Sequence, residues 1–243
     1  MARGKPSPDQ LDLSLPMLDV LNSKSDFMTA DGDVRNYGVL TGIQEAKELM
    51  GGMMDAPAEN VIMYGSASLT LMGNTPWCKL DKVKFLCPVP GYDRHFAITQ
   101  FFGIEMINIP LHEDGPDMDL VEQYVNNDEA VKGIWCVPLY SNPSGQCYSD
   151  EVVKRFANLK PAAKDFRIYW DNAYCVHHLY PDHPCHVLDI LSECEKAGNP
   201  DMVYKFGSTA KVTFPGAGIS AIATSKANIE DIKKQMNNQL ISH

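Results

Sequence analysis

Four stretches of this 243-residue sequence place small, polar or ionisable residues directly after apolar runs. Asn60–Tyr64 is followed by Gly65-Ser66-Ala67-Ser68, and Gly133–Leu139 by Tyr140-Ser141-Asn142-Pro143-Ser144-Gly145. Phe166–Trp170 leads into Asp171-Asn172-Ala173-Tyr174, and Met202–Phe206 into Gly207-Ser208-Thr209-Ala210-Lys211. In the first, glycine permits a tight turn and small hydroxyl residues leave backbone N–H groups open at the start of a helix. That is a cradle for a phosphate. The third ends an apolar strand on a carboxylate, whose burial calls for a cationic partner. In the fourth, Lys211 is the charged residue of Phe206–Ser220. Each stretch also has a plain reading. Gly-Ser, Asn-Pro and Ser-Gly are ordinary turn dipeptides, and a loop lysine is usually solvated.

These loops need elements to hold them. The apolar runs read as strands at Asn60–Tyr64, Val83–Cys87, Ile104–Asn108, Gly133–Leu139, Phe166–Trp170, Met202–Phe206 and Ile219–Thr224. Several are near-continuous apolar runs, the pattern of strands covered on both faces. Helices are expected at Ser68–Met72, Asp119–Asn126, Asp150–Leu159 and Lys226–Leu240, the third with Ser149 as N-cap and an acidic first turn. The alternation predicts an α/β fold, a mostly parallel seven-stranded sheet flanked by helices. In such a sheet, functional loops lie at the carboxyl ends of the strands, where all four stretches fall. Residues 1–34, rich in Pro, Ser and Asp with an amphipathic fragment near Leu11–Leu21, read as an N-terminal arm that packs on another surface.

A net charge of −10 argues against a nucleic-acid surface. No apolar run approaches the roughly 18 residues of a membrane span, and the start of the chain lacks the apolar stretch of a signal peptide. A cytoplasmic location is therefore expected. The cysteines, Cys78, Cys87, Cys136, Cys147, Cys175, Cys185 and Cys194, are scattered without a CxxC pair. They read as free structural thiols rather than a disulfide framework or metal site. His177-His178, with His183 and His186, fits no zinc spacing and reads as a polar loop.

Taken together, phosphate donors, an Asn, an Asp with a Tyr three residues on, and a Lys are the parts needed to hold a pyridoxal ring. The cofactor would be the electron sink, while the protein supplies binding, orientation and electrostatics. At these residues the sequence resembles the fold-type I PLP aminotransferases, and the bacterial aspartate-aminotransferase-like subgroup in particular. The resemblance also runs through Gly4-Lys5-Pro6-Ser7-Pro8, Arg35-Asn36-Tyr37-Gly38 and Pro90-Gly91-Tyr92-Asp93-Arg94-His95.

The resemblance implies roles residue by residue. Lys211 is similar to the Schiff-base lysine, which also moves the substrate α-proton and so must be neutral part of the time. Asp171 would pair with the pyridine nitrogen, with His95 supporting it. Asn142 and Tyr174 would donate to the ring's phenolate oxygen, and Tyr92 would stack on the ring. Ser66, Ala67 and Ser208 would hold the phosphate. Tyr37 would reach the phosphate of a neighbouring subunit, implying a homodimer with a shared site. Gly4 and Lys5 would contact substrate.

The implied function is a pyridoxal 5'-phosphate-dependent transfer of an amino group between an amino acid and a 2-oxo acid, without a metal, nucleic acid or membrane. Residues 35–243 would be the PLP-binding large domain and 1–34 a substrate-side arm. The family's smaller C-terminal domain is expected to be absent from this chain, which then reads as a fragment that binds PLP and transaminates slowly or not at all. Two local departures stand out: Ala210 replaces a second serine, and Val212–Gly218 carries no arginine. Aspartate or glutamate as donor would need a second cation, with Arg3, Arg35 and Arg94 as candidates. Other fold-type I activities (β-lyase or decarboxylase) and a PLP-binding regulatory module are the alternatives. A doubly wound nucleotide-binding protein is disfavoured because neither GxGxxG nor GxxxxGK[ST] follows a strand.

Overall fold

The apolar runs form strands whose side chains alternate between two helical layers. The structure, a computed structural model, describes residues 6–36, 39–66, 68–74 and 82–239. After a short helix α1 (Pro8–Asp12), a two-stranded hairpin, β1 (Met28–Thr29) and β2 (Gly32–Asp33), precedes helix α2 (Gln44–Met54). The central sheet contains β3 (Val61–Tyr64), β4 (Lys84–Val89), β5 (Glu105–His112), β6 (Gly115–Pro116), β7 (Val131–Cys136), β8 (Arg167–Asp171), β9 (Val203–Ser208) and β10 (Ser220–Ala223). Its order is β3-β10-β9-β8-β7-β4-β5-β6.

Strands β9, β8, β7, β4 and β5 pair in parallel, while β10 is antiparallel to both β9 and β3. All seven expected strands are present. The eighth, β6, is a two-residue antiparallel addition to the β5 edge, too short to leave a period-two signal. The strand expected to run to Leu139 ends at Cys136.

Helix α3 (Ser68–Asn74), α5 (Met118–Asn127), α6 (Asp150–Ala157) and α8 (Lys226–Gln239) occupy the expected stretches. Ser149 caps α6, its hydroxyl accepting the Val152 N–H at 3.3 Å. Helices α2, α4 (Asp93–Phe101) and α7 (Ile190–Lys196) were not anticipated. The mixed faces of α2 and α4 blur the 3.6-residue period, and packing on the sheet decides both. Among the described residues, no helix is long and apolar enough to cross a membrane.

Ile134, Cys136, Ile168 and Trp170 face one layer with Val153 and Phe156 of α6, whereas Trp135, Tyr169 and Phe206 face the other with Met72 of α3 and Ile229 of α8. Gly133 is required on β7 because an added Cβ would strike the Phe85 ring, which packs 5.2 Å from Trp135 and 5.3 Å from Tyr169. Gly133→Ala is expected to cost about 1–3 kcal/mol through overpacking. Urea denaturation would show the midpoint falling.

Two findings bear on the expectations for the arm and the thiols. Leu13, Met17, Leu18, Val20 and Leu21 are exposed, so the arm's apolar side chains do not pack into the core of this chain. Cys147 and Cys185 form a disulfide with Cα atoms 6.7 Å apart. This corrects the reading of all the cysteines as free thiols. Residues 38 apart in sequence come together only because the β7 and β8 loops meet at one sheet edge. Cys87, Cys136 and Cys194 are buried free thiols, and burial pushes Cys87 up to about 12.

Candidate functional site

The parallel strands deliver their carboxyl ends to one edge of the sheet, and β3 reaches the same edge because two antiparallel pairings restore its direction. Ser220 of β10 pairs with both Tyr64 and Ser208, so the loops after β3 and β9 lie side by side. Their contact is direct. Ser208 Oγ donates to the Ser66 carbonyl at 3.2 Å and accepts the Ala210 N–H at 3.0 Å.

Strand parity places Asp171. Trp170 faces the α6 layer, so the next residue points to the opposite face, where helix α4 packs. There His95 Nε2 lies 3.0 Å from Asp171 Oδ2. Both side chains are buried, His95 at 1% exposure and Asp171 at 4%. His95 is clamped from below, stacked 4.5 Å from Trp135 at 10°, while Trp135 Nε1 donates to Thr99 Oγ1 at 2.8 Å. Thr99 Oγ1 in turn donates to the His95 carbonyl at 2.9 Å. The other carboxylate oxygen, Asp171 Oδ1, is buried and has no hydrogen-bond partner among the described residues. A buried carboxylate oxygen left unpaired is costly, so the site lacks a donor at that atom.

Lys211 reaches this group through two aromatic rings. Its Nζ lies 4.0 Å from the Tyr174 ring centroid and 5.9 Å from that of Tyr92, within cation–π range. Tyr92 also meets His95 edge to face at 5.2 Å. Contacts thus join Lys211, Tyr174, Tyr92, His95 and Asp171 in one cluster. Lys205, six residues earlier on β9, provides a contrast. It is 3% exposed and its Nζ is 2.9 Å from Asp189 Oδ1. Although burial raises Asp189, the Lys205 ammonium and Ser192 hold it below the usual carboxylate range. Lys205 is committed to a structural ion pair, whereas among the described residues Lys211 has no carboxylate partner.

A cleft of about 420 Å³ opens beside Lys211, walled by Tyr174, His177 and Val212 on one side and by Pro6, Gln10 and Ser14 of the arm on the other. Asn142 sits in the loop after β7, ahead of a cis Pro143, and no hydrogen bond among the described residues joins it to the cluster. Gly4, Lys5, Tyr37 and Ala67 lie outside the described residues. Arg35 is engaged by Asp33, with Nη2 2.6 Å from Oδ2, and this pairing holds the Asp33 carboxyl at about 2. Sequence reasoning missed Trp135, the floor under His95, and treated His177 as loop. Trp135 gives no signal beyond an aromatic in a strand, and His177 was masked by its neighbour His178.

The family profile described as aspartate amino-transferase matches residues 1–243. An aspartate aminotransferase of Corynebacterium glutamicum is 47% identical over 243 residues, covering 94% of this chain and 56% of that protein. The solved structure of an aspartate transaminase from Corynebacterium glutamicum matches with a TM-score of 0.91 at 44% identity, over 99% of this chain and 60% of that one. An α-aminoadipate aminotransferase from Thermus thermophilus, solved with N-(5'-phosphopyridoxyl)-L-leucine, shares the fold with a TM-score of 0.77 at 19% identity, over 99% of this chain and 60% of that one. This chain spans less than two thirds of the length of each of these relatives.

Proposed function

The chain belongs to the aspartate amino-transferase family, and from that premise we propose that it binds pyridoxal 5'-phosphate through Lys211 and serves amino-group transfer between an amino acid and a 2-oxo acid. The observation that carries this reading is the unpartnered, buried Asp171 Oδ1 in the same cluster as Lys211. A protonated ring nitrogen is the donor that this oxygen lacks, and the residues present therefore fit the cofactor.

His95, stacked on Trp135, orients the Asp171 carboxylate, whose other oxygen would hold the ring nitrogen. Tyr92 offers an aromatic face for stacking. Tyr174 and Asn142 serve as donors to the ring's phenolate oxygen. Ser66, Ala67 and Ser208 hold the phosphate through hydroxyls and backbone N–H groups, which needs no further cation at the head of a helix. When bound, pyridoxal phosphate supplies the electron sink for the pair left behind as the substrate α-carbon loses its proton. Lys211 Nζ would take up that proton and hold it as the ammonium. With no carboxylate partner among the described residues, the amine is free for that work.

Residues 35–243 constitute the cofactor-binding domain and residues 1–34 a substrate-side arm, with Gly4 and Lys5 as its substrate contacts. The exposed apolar side chains from Leu13 to Leu21 suit burial against a second subunit. A homodimer in which Tyr37 reaches the neighbouring phosphate site is in keeping with that surface.

The test is an absorbance spectrum of the chain after pyridoxal phosphate is added and the excess removed, followed by borohydride and peptide mapping. A visible band that responds to pH, and a reduced adduct on the peptide containing Lys211, are expected. An adduct on Lys205 or on surface lysines alone would refute the assignment.

A further inference from the structure

The backbone around Lys211 is held by two side chains from different parts of the chain. Ser208 Oγ accepts the Ala210 N–H at 3.0 Å, and the Lys211 carbonyl lies 3.1 Å from His177 Nε2. A carbonyl oxygen only accepts, so this contact requires the hydrogen on Nε2. His177 reaches it from the loop after β8, where its own N–H donates to the Tyr174 carbonyl at 3.1 Å. Its ring stands edge to face against Tyr174, 5.7 Å away at 86°. His177 therefore touches both halves of the pair at the centre of the site: the backbone of Lys211 and the ring on which the Lys211 amine rests at 4.0 Å. Nδ1 is buried and has no hydrogen-bond partner among the described residues, so the bond to Lys211 is the ring's polar anchor there.

We propose that His177 is a positioning residue that locks the Lys211 backbone to the Tyr174 loop and thereby sets where the Lys211 amine stands. A lysine stem has four flexible carbons, so Nζ is located only as well as the backbone it grows from. Without the Nε2–H bond the Lys211–Val212 peptide keeps only its local turn bond, Val212 N–H to the Thr209 carbonyl at 2.8 Å, and Cα and the amine are held less firmly against the Tyr174 face. A displacement of about 1 Å at a reacting group costs on the order of a hundredfold in rate, which makes such a clamp worth having. The assignment rests on the reading of Lys211 as the amine that holds the cofactor, and it adds a residue that the sequence pattern did not single out.

The test uses the cofactor-free chain, so that it does not depend on pyridoxal phosphate binding. Trace acetylation with acetic anhydride, read by peptide mass, gives the labelling rate of Lys211 relative to the exposed Lys24 and Lys160 in the same sample. His177→Phe keeps a ring and removes the donor, His177→Asn carries an amide too short to reach the carbonyl, and His177→Gln places an amide N–H near the Nε2 position. The Lys211 rate is expected to rise by about fivefold, the scale of one ordinary hydrogen bond, in the phenylalanine and asparagine proteins and to return toward the parent in the glutamine protein. Thermal melting identifies any variant that is simply unfolded, and the asparagine and glutamine pair carries the comparison if phenylalanine is not tolerated. Parental rates in the phenylalanine and asparagine proteins, or a glutamine protein that labels as fast as they do, would overturn the proposal. Failure of the cofactor reading would instead appear as no adduct at Lys211 in the borohydride experiment, whatever the acetylation rates.

Discussion

A Lys211→Ala chain is expected to give no borohydride-trapped adduct at this site and no visible band after excess pyridoxal phosphate is removed. Any amino-acid-dependent spectral change should be at least about ten-thousandfold slower than in the parent, because both the covalent attachment and the proton carrier are removed. Folding should be almost unaffected, since Lys211 is half-buried and its amine makes no ion pair among the described residues. Lys205→Ala should give the opposite pattern. That change leaves the Asp189 carboxylate without its ammonium beside the sheet, which destabilises the fold, while the adduct at Lys211 persists. Retention of a normal adduct in the Lys211→Ala protein would assign the chemistry to another amine.

Asp171→Asn and Asp171→Ala separate the electrostatic role of this side chain from its structural one. Asparagine preserves the volume and an oxygen for His95 but cannot hold a protonated ring nitrogen. The half-reaction with an amino acid should fall by about a hundredfold to a thousandfold, the scale for loss of one preorganised electrostatic contact. The melting temperature should stay close to that of the parent. Alanine also leaves His95 Nε2 buried without its partner, adding about 1–3 kcal/mol of instability. Parental reaction rates in the asparagine protein would show that the carboxylate does not face the ring, and the site would need to be redrawn.

The arm and the cysteines mark where sequence reasoning met its limit. An amphipathic fragment near Leu11–Leu21 is legible from residue types, but the surface it covers depends on what it meets in space. In this chain Leu13, Leu15, Met17, Leu18, Val20 and Leu21 stay exposed. The Cys147–Cys185 pair was invisible for a related reason. Spacing along the chain carries no signal when two loops are brought together by the order of strands in a sheet.

The sequence by itself determined the strands, because a run of apolar residues bounded by turn formers has few other stable uses. It also determined the order of the functional loops, since Asp171, Ser208 and Lys211 each follow such a run, and with them the edge of the sheet at which chemistry would gather. Tertiary structure decided the rest. The placement of His95 against Asp171 needed helix α4 to cross the sheet over Trp135. Lys205 is paired with Asp189, a residue 16 positions from it in sequence and 2.9 Å from it in space. The hold of His177 on the Lys211 backbone spans 34 positions. In each case the deciding energy is a contact between groups distant in the chain, which only the packed sheet brings within a few ångströms.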